Sequence, residues 1–423
     1  MDPTRTYRIS AKRPGRLPRE GEMSERMIAL IAAATFTIIT HTAPLHAYDG
    51  VVEKKTFTLQ SYVTVRGETI KNVKIGWESY GSLNADKSNA ILITHYFSGT
   101  SHAAGKYKAN DPAPGYWDKI IGPGKPLDTD KYFILSSDTL VNLGAKDPNV
   151  ITTGPATIDS STGQPYGRSF PIVAIRDFVN VQKALVESLG ISKLHAVMGA
   201  SMGALQAYEW SSSYPGMVRK VIPVIGAGEA DGWVIAWSHM WAAPILLDPN
   251  WSNGDYYGKA EPVAGLATAL ALVTLHAQHW EWTNSNNPPA FGRKWAIEGK
   301  DPAGCLVECK YAIEAALDAM GKTRASMSDA NHFLYLVKAG QIFVAGGGNL
   351  LDGLKKIDAP VLLITSDDDL IFPPDAVNQT AQMIKSDGTL VEQVKIKGGR
   401  GHLDGVYAID QAGDRIVEFL GRK

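Results

Sequence analysis

Apolar and polar positions change rhythm several times along the chain, and each change predicts an element. TFTLQSYVTV (56–65) and IKNVKIGWESYG (70–81) alternate apolar with polar residues, which predicts a leading antiparallel hairpin. NAILITHYF (89–97), KYFILSSD (131–138), LHAVMGAS (194–201), KVIPVIG (220–226), PVLLITSD (360–367) and VEQVKIKG (391–398) are short apolar runs. Runs of this kind suit parallel strands covered on both faces. Between them, 172–189 places apolar residues at helical spacing and stops at Gly190, and 373–384 and 408–420 read as further helices. Alternating strands and helices predict an α/β fold, a mostly parallel sheet with helices on both faces. From about 227 to 353 the strand signal disappears into an Ala-, Trp- and His-rich helical stretch, as expected of a cap inserted into the sheet domain. The expected division is therefore a first core segment at 48–226, the cap at 227–353 and a second core segment at 354–423. Residues 139–169, rich in Gly, Pro, Ser and Thr, form a long loop of the kind that often carries function.

The first 47 residues follow none of these rhythms. Arg5, Arg8, Lys12, Arg13, Arg16, Arg19 and Arg26 precede an uncharged run, MIALIAAATFTII, from Met27 to Ile39. That run is too short to span a bilayer as a helix. A small-residue exit follows, with Ala47 at a plausible cleavage point. Basic region, short apolar run and small-residue exit predict a signal peptide and a secreted or periplasmic mature protein. Met23 is an alternative start, because the segment from it onward is a compact signal by itself. No later apolar run is long enough to span, so the mature form is expected to have no membrane segment.

Composition narrows the classes further. The chain has 423 residues, 42 Lys+Arg against 43 Asp+Glu and a net charge of -1, which leaves no electrostatic footprint for nucleic acid. Two cysteines, Cys305 and Cys309, exclude a disulfide-stapled scaffold and multi-cysteine metal clusters. Placed four apart on a helix they would be strained as a bridge, so free or loosely paired thiols are expected. His276 and His279 could share a metal, but without an evident carboxylate partner beyond Glu281 they read as cap packing, and no metal or cofactor is expected. Gly346-Gly347-Gly348 lacks the Lys-Ser/Thr that follows a phosphate loop and reads as a hinge back into the sheet.

The chemistry concentrates at Gly199-Ala200-Ser201-Met202-Gly203, a G-x-S-x-G string. The strand LHAVM runs into it and ALQAYEWSSSYP follows as a helix, the strand–turn–helix setting that exposes a serine hydroxyl. A hydroxyl at its ordinary pKa needs a base, and the base needs an orienting acid. Asp367, Asp368 and Asp369 end one later strand, and His402 sits in a glycine-flanked loop after the next, giving the order Ser, acid, His. An oxyanion needs donors as well; the backbone amides of Met202 and of Phe97, in the tail of NAILITHYF, are placed to supply them. Trp233, Trp237, Trp241 and His239 recur at helical spacing in the cap and could line an acyl pocket.

These residues resemble the homoserine O-acetyltransferases and their α/β-hydrolase-fold relatives, over about 55–420. HYFSGTSHAAG is similar to the family's H-A-L-T-G-x-x-H-V-A-G loop. GYWDKIIGPGKPLDTDKYFILSSD and TTGPATIDSSTGQPYGRSFPIVAIRDFVNVQK match two further long family strings, and SDANHFLYL and DDLIFPP agree in the cap and after the acid strand. The resemblance implies Ser201 as nucleophile, Asp369 as the acid and His402 as the base, working through an acyl-enzyme. It also implies a homodimer through the cap. Two departures bear on the substrate: Glu229 stands where the family's acceptor-binding Arg is expected, and Leu403 rather than Asp follows His402. Glu would repel an amino-acid carboxylate, and acetyl-CoA is not supplied outside the cytoplasm. The expectation is an exported ester or amide hydrolase on the transferase scaffold, acting on a small acyl substrate. The alternatives are a homoserine O-acetyltransferase and, from another class, a binding protein without catalysis.

Overall fold

The computed structural model describes residues 48–284 and 291–422. The leader and its cleavage point lie outside the described residues. Eight strands form one sheet: β1 (Lys55–Val63), β2 (Thr69–Tyr80), β3 (Ala90–Thr94), β4 (Phe133–Ser137), β5 (Ala196–Ala200), β6 (Val221–Val224), β7 (Val361–Ser366) and β8 (Val391–Ile396). Their order across the sheet is β1-β2-β4-β3-β5-β6-β7-β8. β1 and β2 form the antiparallel hairpin, β2 joins β4 antiparallel, and every later pairing is parallel.

The central strands β3, β5 and β7 are buried at every position. Successive residues feed opposite faces. Leu92, Leu135, Val197 and Leu363 join a core with Phe178 and Leu185 of α1 (Ile175–Ser188) and Trp210 of α2 (Met202–Ser213). Ile91, Ile134, Met198 and Leu362 join a second core with Trp117 and Phe419. β8 differs from the expectation of burial on both faces: as the last strand it exposes Gln393 and Lys395 on one face and half-exposes Glu392 and Val394 on the other. Charged positions of this kind are how an edge strand avoids pairing with other chains.

Between β6 and β7 the chain is helical: α3 (Gly232–Leu247), α4 (Val263–His276), α5 (Ala312–Ser326), α6 (Ala330–Gln341) and the short α7 (Leu350–Leu354). Glycine brings the first three together. A Cβ on Gly265 would stand 2.4 Å from Pro244 O, and one on Gly321 2.3 Å from Ala267 O. Among the described residues no helix is long and apolar enough to cross a membrane. Gly346, Gly347 and Gly348 all have positive φ, which lets the chain turn sharply after α6 and return towards the sheet.

The cysteines depart from expectation. Cys305 and Cys309 are bonded to one another, with Cα atoms 5.5 Å apart. The helix assumed for them is absent: a 3₁₀ turn ends at Gly304 and Cys305 is extended, so the strain argued from a regular helix does not arise.

Candidate active site

Register sets the site before any side chain is considered. Thr94 pairs with Gly199 and Val224 with Ala200, so β3, β5 and β6 end level with one another at their C-terminal edge. Ser201 follows β5 there with φ 57° and ψ −119°, and α2 begins at the next residue. A non-glycine residue in that region is strained and held by its surroundings. The surroundings are tight: a Cβ on Gly199 would lie 2.0 Å from Thr94 Oγ1, and one on Gly203 2.1 Å from Thr94 O. Strand and helix can cross this closely only with glycine at both positions, and the crossing turns the Ser201 hydroxyl outward.

Asp369 arrives from the loop after β7 and His402 from the loop after β8. His402 Nε2 is 2.8 Å from Ser201 Oγ, and its Nδ1 is 2.8 Å from Asp369 Oδ2. With Nδ1–H donating to the carboxylate, Nε2 is free to accept from the serine hydroxyl. Asp369 Oδ1 accepts from the amides of Ile371 (2.8 Å) and Phe372 (3.0 Å), which leaves Oδ2 to the imidazole. Asp367 and Asp368 point elsewhere, to Lys395 at 2.8 Å and Lys397 at 3.9 Å. Asp404, fully buried, braces the His402 loop by accepting from the amides of Gly398 (2.8 Å) and Arg400 (3.0 Å) and from Ser366 Oγ (3.2 Å). It is two residues beyond His402, and only the folded loop shows that its carboxylate turns inward.

Phe97 and Ser201 line one cavity of about 710 Å³, together with Trp241, His402 and Leu403. Met202, the first residue of α2, presents an amide in the first helical turn, where intrahelical acceptors are lacking. Behind Phe97, buried His95 donates from Nδ1 to Tyr96 O (2.8 Å) and accepts at Nε2 from Asn142 Nδ2 (3.2 Å). Asn142 also donates to Gly99 O, and its own carbonyl accepts from His332 Nδ1. Asn142 lies in the long 139–169 loop, so that loop and α6 together fix the segment carrying Phe97. Burial pushes His95 and His332 below the ordinary histidine value, which keeps both neutral. Ser101, farther along the same segment, donates to fully buried Glu78, which also binds His102, Tyr107 and Lys54.

Three residues expected at the substrate lie elsewhere. Glu229 faces a separate recess of about 40 Å³ with Asp231, Phe372 and Thr380. It pairs with Val344 through an antiparallel bridge and is not among the residues that line the Ser201 cavity. Trp233 is half exposed and donates its indole N–H to Leu370 O. Trp237 packs against Trp241 at a tilt, with ring centroids 4.2 Å apart. One helical face holds all three tryptophans, and of them Trp241 meets the cavity. His276 packs among the same rings, 5.5 Å from Trp237. Among the described residues no three His, Cys, Asp or Glu side chains converge as a metal cage.

Sequence and structure comparisons identify the family and the fold. A family model described as the alpha/beta hydrolase fold matches residues 152–406. Homoserine O-acetyltransferase from Methanosphaerula palustris is 39% identical over 373 residues, covering 88% of this chain and 74% of that protein. The crystal structure of esterase E22 superposes with a TM-score of 0.84 at 51% identity, over 88% of this chain and 100% of that one. Homoserine O-acetyltransferase from Bacillus anthracis gives a TM-score of 0.82 at 35% identity, over 88% and 98%. The chain belongs to the homoserine O-acetyltransferase family within the α/β-hydrolase fold and is an enzyme of the acyltransferase and hydrolase kind.

Proposed function

We propose that the chain is an exported serine hydrolase of small esters or amides, with Ser201 as nucleophile, His402 as general base and Asp369 as its orienting acid. The single observation that carries this is the continuous relay from Asp369 through His402 to Ser201, with 2.8 Å at each step. His402 Nε2 takes the hydroxyl proton as Oγ attacks the acyl carbonyl, and Asp369 stabilises the imidazolium so formed. The amides of Phe97 and Met202 receive the developing oxyanion. Collapse expels the alcohol or amine, which takes the proton from His402 and leaves the acyl group on Ser201. Water, deprotonated by the same imidazole, then releases the acid.

Hydrolysis rather than transfer is favoured by three features. Esterase E22 is 51% identical, above the 39% of the acetyltransferase from Methanosphaerula palustris. Leu403, where the family is expected to carry Asp, lines the cavity beside His402. The basic, apolar and small-residue leader and the Cys305–Cys309 bridge suit an oxidising compartment without acetyl-CoA. Repulsion of an acceptor carboxylate by Glu229 is not among them, because Glu229 does not face the cavity. The transferase alternative has its own support in relatives bearing that name at 35–40% identity.

The test is steady-state turnover of p-nitrophenyl acetate, and of acetyl-CoA with and without homoserine, beside Ser201→Ala. Ester turnover indifferent to homoserine and absent in the variant is expected. Acetyl-CoA consumption that requires homoserine would replace this proposal with the transferase.

A further inference from the structure

The cavity at Ser201 carries two arginines, Arg324 and Arg400, and no Asp or Glu among its lining residues. Arg324 belongs to α5 in the cap. Its Nη1 donates to Leu270 O (3.0 Å) and to Thr274 Oγ1 (2.6 Å) on α4. Its Nε and Nη2 make no hydrogen bond, and it forms no ion pair, among the described residues. Burial disfavours the charged form, yet a guanidinium stays protonated in proteins. A partly buried cation without a counter-ion is costly unless something brings the opposite charge.

The surroundings repeat the imbalance. Trp241 is 5% exposed, lines the same cavity, and its Nε1–H has no acceptor among the described residues. Arg400 lies over the Tyr407 ring, 4.6 Å from its centroid, and has no ion pair among the described residues. Both charged side chains on these walls are cationic, and Gln278 Oε1 is a neutral acceptor left open beside them. A ligand that completes them must supply an anionic acceptor, and a planar carboxylate matches the guanidinium fork. The geometry points to Arg324 as a specificity-determining residue that binds a carboxylate carried by the ester substrate. This rests on the acyl-transfer reading of Ser201. The carboxylate can belong to the acyl group or to the alcohol, and the two are separated by choice of substrate.

The experiment compares kcat/KM for matched esters in the full chain and in Arg324→Met and Arg324→Lys. Mono-p-nitrophenyl glutarate is paired with p-nitrophenyl valerate for the acyl side, and 4-carboxyphenyl acetate with 4-methylphenyl acetate for the alcohol side. In one pair the anionic member is expected to lose roughly tenfold to a hundredfold in Arg324→Met, the worth of a charged hydrogen bond. Its neutral twin should stay within about threefold, and Arg324→Lys should restore part of the loss. Because Arg324 also ties α5 to α4, a merely structural role would lower both members equally, and that result would overturn the assignment. So would a wild type that prefers the neutral member in both pairs. Equilibrium binding of 5-methoxypentanoate and of 4-carboxyphenyl methyl ether, neither of which has an ester to cleave, read by tryptophan fluorescence, separates this from the hydrolase proposal. Binding of one of them to wild type that vanishes in Arg324→Met, with no ester turned over, would sink the hydrolase reading alone. Binding of neither, or binding undiminished in Arg324→Met, would sink the Arg324 assignment alone.

Discussion

The imidazole of His95 and the side-chain amide of Asn142 meet at 3.2 Å and join the loop carrying Phe97 to the loop after β4. His95 directly follows β3, and the chain runs from it through Tyr96 to Phe97. Removing the amide should therefore loosen Phe97, the proposed oxyanion donor, without touching the proposed Ser201, His402 and Asp369 relay. Asn142→Ala is expected to lower kcat by about tenfold, the worth of one buried hydrogen bond lost with its partner left unsatisfied. KM should change little. Ester kinetics check this, and an unaltered kcat would remove Asn142 from the account.

Acid should weaken the fold through the same pair of loops. His95 and His332 are both buried and held below the ordinary histidine value, chiefly by desolvation; Asp138 and Asp329 oppose the shift, and Lys54 adds to it at His95. Between the folded value and the unfolded one near about 6.5, the unfolded chain binds more protons than the folded chain. Stability is therefore complete above that range and falls as pH drops through it. The Tm should decline from about pH 7.5 to about pH 5, and His332→Asn, which keeps a donor for the Asn142 carbonyl, should flatten the slope. An equally steep slope in the variant would place the proton uptake elsewhere.

Gly203 tests the crossing under Ser201. A methyl group there would stand 2.1 Å from Thr94 O, against backbone that cannot move aside. Gly203→Ala should cost about 1–3 kcal/mol from overpacking. Gly216→Ala, where nothing lies within 4 Å, is the control and should be close to neutral. Urea unfolding of the two variants measures the difference.

The Cys305–Cys309 bridge closes a sequence separation of 4 in the cap, outside the residues that line the cavity. Replacing both with Ser should lower stability by no more than about 2 kcal/mol, since short loops restrict the unfolded chain least. Ester turnover at moderate temperature should persist. Loss of turnover in a folded variant would show that this segment shapes the cavity.

The sheet was legible because its signals are local. Five-residue apolar runs, a period-two hairpin and the string around Ser201 each declare themselves within a few residues, and chain order then put His402 after its strand. The choice among Asp367, Asp368 and Asp369 was not local: family resemblance favoured Asp369, and in the fold the amides of Ile371 and Phe372 turn its carboxylate inward. The cap was legible as helix but not as pocket. Trp233, Trp237 and Trp241 share one helical face, and only packing against the core decides which of them meets the cavity. Arg324 sits in AIEAALDAMGKTRAS, where a charged residue on a polar helix face is unremarkable until α4 is laid beside it. The recess that holds Glu229 is not legible in its spacing from β6, because the bridge to Val344 is a long-range pairing.

The central claim is an acyl group held on Ser201 and released to water. Rapid quenching of the protein with p-nitrophenyl acetate, followed by peptide mapping, tests it directly. The account predicts acetyl on the peptide containing Ser201, none in Ser201→Ala, and decay at a rate that homoserine does not change. Acetyl that persists until homoserine is added, or turnover with no acetyl on that peptide, would contradict it.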